Sequence, residues 1–186
     1  MAATEHAQAV KKDTKEFITT ALLQLLSKEK LSTLTVSQVC KRAGVSRMAF
    51  YRNFDGLEQI LYAYYQPKLA AVFDTIRQNP HDSVKFESQW EFFNTFGDFL
   101  RLSVERGYEP IIMRIFTEEM EKFYAADGDE YWTAFISAGV YAIWRKWLLD
   151  GQQKPLEEIM GFLKKLDTIR NLPGYPIDSI QHEYLL

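Results

Sequence analysis

The stretch TVSQVCKRAGVSRMAFYRNF, Thr35 to Phe54, leaves the backbone few choices. Thr35 with Gln38 three residues on forms a capping box, in which each side chain satisfies an amide that the start of a helix would leave open. Val36, Val39, Cys40 and Ala43 then recur on one side of a short helix. Gly44 ends it, because glycine alone takes a left-handed turn without steric cost. Ser46 caps a second helix in which Phe50 and Phe54, four apart, share one face. These two rings must turn toward Val45 and the first helix, since nothing else nearby can bury them. Two short helices joined by a glycine turn are the outline of a helix-turn-helix.

The outward side is then Arg47, Met48, Tyr51 and Arg52, with Ala49 small enough to permit close approach. Arginine donates to phosphates or to the major-groove edge of guanine, and methionine can contact a thymine methyl. A tyrosine hydroxyl can donate to phosphate. The short residues Thr35, Ser37 and Ser46 stand at helix starts, where free backbone N–H groups suit phosphate. A generic amphipathic hairpin with a solvated basic face would have the same spacing. Both readings stay open on spacing, and the charge distribution leans toward the DNA-binding one. Residues 1–54 hold nine Lys and Arg against four Asp and Glu, a balance of +5, whereas the rest of the chain stands at −8. A basic head on an acidic body is the asymmetry that attracts a polyanion.

The remaining segments are expected to be helical, so the fold class is all-α. Phe17, Ile18, Ala21, Leu22, Leu25 and Leu26 set one apolar face of a first helix. Asp55 caps a long fourth helix, which Pro67 should kink or end locally. Helices are expected near 84–105, 109–125, 130–149 and 155–170, broken by NPHDS at 79–83, by Arg106-Gly107-Tyr108, by Asp127-Gly128-Asp129 and by DGQQKP at 150–155. The tail after these carries two prolines and no regular pattern. The expected domains are 1–54, a three-helix DNA-binding unit, and 55–186, a larger helical unit.

The motif resembles the DNA-binding domain of the tetracycline-repressor (TetR) family of bacterial transcription regulators. Thr35, Val36, Val39, Ala43, Gly44, Val45, Ser46, Phe50, Tyr51 and Phe54 stand in that family's register, with Cys40 at a position usually held by Ala. The likeness covers residues 11–65. One departure is Leu57, where the family usually has a phosphate-contacting Lys; Arg52 is the nearest compensating cation. The resemblance implies a DNA-binding regulator, most simply a repressor released from a double-stranded operator by a small molecule. Control by a partner protein is the alternative.

The resemblance also implies a ligand pocket and a dimer surface in the body. Fifteen aromatic residues, all four Trp among them, fall between 90 and 147. They form either a large core or the walls of a pocket for an apolar or aromatic effector. The lining expected is Tyr62, Tyr65, Trp90, Phe93, Phe96, Tyr108, Met113, Phe116, Phe123, Trp132 and Phe135. Ala134, Ala138 and Ala142, with Leu156, Ile159, Leu163 and Leu166, form seams in 130–149 and 155–170 that either pack inside the monomer or, as the resemblance implies, form a homodimer interface. No enzyme is expected: His6, His81 and His182 are scattered, no metal-ligand spacing or glycine-rich phosphate loop occurs, and no cofactor is implied. A single cysteine, no signal-peptide pattern and no membrane-length apolar run lead to the expectation of a cytoplasmic protein.

Overall fold

The structure, a computed structural model, describes residues 2–78, 85–124, 130–159 and 161–162, with side chains described from residue 12 to 74, 96 to 122, 130 to 159 and at 161 and 162. It is all-α over these residues. Helix α1 is Ala2–Leu26, followed by a single 3-10 turn at Leu31–Thr33, then α2 Val36–Ala43, α3 Arg47–Tyr51, α4 Leu57–Gln78, α5 Lys85–Arg106, α6 Glu109–Tyr124 and α7 Glu130–Leu149. Residues 156–159 and 161–162 are helical again. No described helix is long and apolar enough to cross a membrane. The expected breaks at 79–83 and 127–129, and the C-terminal tail, lie outside the described residues.

The head is α1 wrapped by α2 and α3 and continued by α4. Ile18, Leu22, Leu26, Leu34, Val39, Cys40, Phe50 and Phe54 are buried together. Phe17 departs from the expected apolar face: it is 59% exposed. The stripe that α1 needs is filled by Ile18, Ala21, Leu22 and Leu26, and Phe17 falls at its edge.

In the body, α4 packs along α6, and α5 packs on α6 and α7. Gly97 makes the α5–α7 approach close, since a Cβ there would lie 3.0 Å from Leu148 Cδ2. Pro67 lies within α4, which continues through it. The amide that Pro67 lacks would have met the carbonyl of Ala63, and both residues are exposed, so water can take its place. Three polar contacts fasten α4 to the α6 side. The Tyr62 hydroxyl donates to Glu118, Gln66 Nε2 donates to Glu119 at 3.2 Å, and the Tyr65 and Tyr108 hydroxyls share a buried hydrogen bond of 2.8 Å. The last pair is also stacked, with ring centroids 5.8 Å apart.

Head and body meet a second time at the α5–α6 corner. Arg106 Nη2 donates to the carbonyl of Ser27, just past the end of α1, at 3.0 Å. At the other end of the body, Trp147 Nε1 donates to the Lys154 carbonyl at 2.7 Å, closing the turn that follows α7. Leu156 and Ile159 are buried within the single chain, each 4% exposed. Leu163 and Leu166 of the expected seam lie outside the described residues.

Candidate nucleic-acid interface

The local chemistry of the motif folds as its residues dictate. Thr35 is extended (φ −122°, ψ 153°), accepts from the Gln38 amide at 3.3 Å, and its own amide donates to Gln38 Oε1 at 2.8 Å. Gly44 takes the left-handed conformation at φ 68° and ends α2. Ser46 Oγ accepts from the Ala49 amide at 3.1 Å and starts α3. Phe50 is fully buried and its ring lies 6.2 Å from that of Phe54.

With Phe50 inward, the opposite side of α3 faces solvent. Met48 is 66% exposed and Tyr51 51%. The Tyr51 ring stands edge-on against Phe50 at 5.3 Å, which fixes its direction while the hydroxyl stays free. Arg47 is exposed and has no hydrogen-bond or ion-pair partner among the described residues. Arg52 Nη2 contacts the Met48 sulfur at 3.3 Å, so these two side chains form one lip. Ala49 is half-buried between them.

The three hydroxyl residues differ. Thr35 also donates its hydroxyl to Gln38 Oε1 at 2.7 Å, so the capping box already uses it in both directions. Ser46 only accepts, which leaves its O–H free to donate, and Ser37 is exposed without a partner among the described residues. Sequence alone did not separate them, because the second Thr35–Gln38 bond depends on rotamers.

Charge pairing divides the molecule sharply. Where both side chains are described, the ion pairs lie between Asp98 and Glu158: Arg101–Asp98, Arg106–Glu105, Arg114–Glu118, Lys122–Glu119, Arg145–Glu109, Lys146–Asp150 and Lys154–Glu158. In the head, Lys12, Lys15, Lys28, Lys30, Lys41, Arg42, Arg47 and Arg52 form no described ion pair. Arg42 Nε donates instead to the neutral Gln24 at 2.8 Å, and Lys15 Nζ lies 5.6 Å from the centroid of the Phe54 ring. These cations are therefore not neutralised by an ion pair among the described side chains. Sequence reasoning passed over Lys15, whose contact with Phe54 spans thirty-nine positions.

The expected effector residues are dispersed. Tyr65, Phe96, Tyr108 and Phe116 are buried in the body core, where Phe116 touches the rings of Phe73, Phe96 and Tyr141. Tyr62 is half-buried, with Arg114 stacked over its ring at 5.0 Å. Its hydroxyl is held protonated to higher pH than usual, first by the bond to Glu118 and then by burial. Trp132 is half-buried, whereas Met113 and Phe135 are exposed, at 43% and 59%. The side chains of Trp90, Phe93 and Phe123 lie outside the described residues. An open groove lined by Gln24, Leu25, Gln38, Lys41 and Arg42 lies on the head, and none of the expected effector residues lines it.

Residues 18–64 match the family model described as bacterial regulatory proteins, tetR family, from within α1 to the second turn of α4. No curated protein matches the chain.

Proposed function

We infer that this chain, a DNA-binding transcriptional regulator of the tetR family, binds a palindromic operator as a homodimer and releases it when its body takes up a small apolar or aromatic effector. The observation that carries the DNA half is the α3 face: Arg47, Met48, Tyr51 and Arg52 exposed together, on a head whose cations have no described carboxylate partner. In this reading Arg47 and Met48 read base edges, while Tyr51, Arg52, Ser37 and Ser46 hold phosphates beside Ala49. Thr35 contributes the shape of the α2 start rather than its hydroxyl. The division between head and body is taken at residues 54 and 55.

The homodimer is supported by the outer face of α7. Tyr131, Ala134, Phe135, Ala138 and Ala142 are exposed on it, with Tyr131 at 82%. Two exposed rings beside small residues at four-residue spacing suit a close helix–helix contact. Two equivalent copies of α3 would then enter successive major grooves about 34–36 Å apart.

Effector control is supported by the fastening of α4 to α6. A ligand that shifts α6 drags Tyr62, Tyr65 and Gln66, and with them the helix that begins three residues after Phe54. Tenfold release of DNA needs only about 1.4 kcal/mol of coupling.

Selection of bound fragments from a random duplex pool tests the reading. The expected result is one palindromic consensus, bound by a dimer seen in light scattering, that changes in Arg47→Ala but not in Tyr51→Phe. A monomer that shifts no duplex refutes it. The Trp residues then serve as fluorescence reporters for effectors, and compounds that bind without altering DNA affinity refute the control half.

A further inference from the structure

We propose that Lys15 of α1 is a DNA-phosphate contact, aimed by the ring of Phe54 at the corner between α3 and α4. The inference rests on the DNA-binding reading above and assigns a residue outside the recognition motif.

The corner lacks a cation of its own. After Arg52 come Asn53, Phe54, Asp55 and Gly56, and α4 opens Leu57, Glu58, Gln59. Leu57 is half-buried and packs against the core, so the start of α4 presents no positive charge. The next cation along α4 is Lys68, three turns further down.

Lys15 fills this gap from another helix. It is exposed, and its ammonium stands 5.6 Å from the Phe54 ring centroid. Phe54 is 5% exposed and touches Phe50, which in turn carries Tyr51 edge-on. The three rings thus connect the Lys15 ammonium to the outward side of α3. A cation–π contact directs the charge without neutralising it.

Lys15 forms no ion pair among the described residues. Asp13 and Glu16 lie two before and one after Lys15, spacings that do not bring side chains together on a helix. Asp55 forms no described ion pair either, and its amide is engaged by Gln59 Oε1. Lys12, three residues before Lys15, adds a like charge on the same side. Like charges one helical turn apart are mildly unfavourable in the free protein. A phosphate between them relieves that repulsion.

The test is the salt dependence of binding to the selected operator, measured for the full-length protein, Lys15→Gln and Lys15→Arg. Each phosphate contact lowers the slope of log K against log salt by about 0.9, so a symmetric dimer lacking both Lys15 charges should lose about 1.8. Between 50 and 200 mM salt the wild type should then lose about 12-fold more affinity than Lys15→Gln. Lys15→Arg should restore the slope, and the selected consensus should stay the same in all three proteins. If Lys15→Gln keeps the wild-type slope, or changes the consensus, the assignment is wrong. A fall in thermal stability with an unchanged slope likewise overturns it, because Lys15 would then only brace Phe54. A wild type that binds no duplex refutes the regulatory reading itself. A wild-type slope that Lys15→Gln leaves intact refutes this proposal alone.

Discussion

Replacing Phe50 by Ala should open the head while the body stays folded. Phe50 has no exposed surface and its ring meets those of Tyr51 and Phe54, at 5.3 and 6.2 Å. Its neighbours in the head core are mostly aliphatic, so the ring is a large share of what the small unit buries. Truncating a buried Phe costs about 3–5 kcal/mol. A single core of this size supplies rarely more than about 3–5 kcal/mol of net stability. The two figures match, so the variant head should be open much of the time. Cys40 provides the assay. It is the protein's one thiol, 4% exposed inside the same core, and burial raises its pKa, which keeps it protonated and slow to react. In the fast-reclosing regime a loss of 3–5 kcal/mol accelerates labelling by about 150-fold to several thousand-fold. Met48→Ala, on the exposed side of the same helix, should label like the wild type. If Phe50→Ala labels no faster than Met48→Ala, the head is not held closed by this ring.

Further expected outcomes concern backbone and charge. Gly44→Ala should lower stability by about 1 kcal/mol in denaturant unfolding: φ of 68° penalises an L side chain, while its Cβ would meet nothing within 4 Å. Gly44→Asn should lose less, and a variant order with Ala more stable than Asn would contradict the strain argument. Glu109 is held below the usual carboxylate range, chiefly by its hydrogen bond from Arg145, against an opposing effect of burial. The unfolded chain binds that proton more tightly, so the stabilisation is present above about pH 4.3 and is lost as pH falls through the lower folded value. Glu109→Gln should therefore lose that part of the acid limb when melting temperature is followed against pH. Superimposable profiles for the two proteins would refute the assignment.

The head was legible in the sequence because its rules are short-range. Thr35 finds Gln38 three residues away, Gly44 needs only its own φ, and Phe50 and Phe54 are one helical turn apart. Spacing was less decisive at the edge of a stripe, where Phe17 has the right period and still faces water. Pro67 is expected to kink or end α4, and the helix continues through it; the sequence does not say that Ala63, its missing partner, is exposed. The body's fastenings were out of reach for a different reason. Tyr65–Tyr108 spans forty-three positions and Tyr62–Glu118 fifty-six. No local pattern marks which of ten tyrosines will pair. The unpaired head cations were visible as a net charge, but the placing of Lys15 over Phe54 depends on the angle between α1 and α4.

The bond from Arg106 to the Ser27 carbonyl has a mechanical consequence. The chain leaves the head through α4, and a unit tethered at that point alone could swing in any direction. Arg106 adds a second attachment at the far end of α1. A second attachment narrows the directions in which the body can turn relative to the head. The α5–α6 corner, which carries both Arg106 and Tyr108, is thereby tied to the head as well as to α4. In the proposed dimer, a body so tied would pass its own movement on to the recognition helices through α1 as well as through α4.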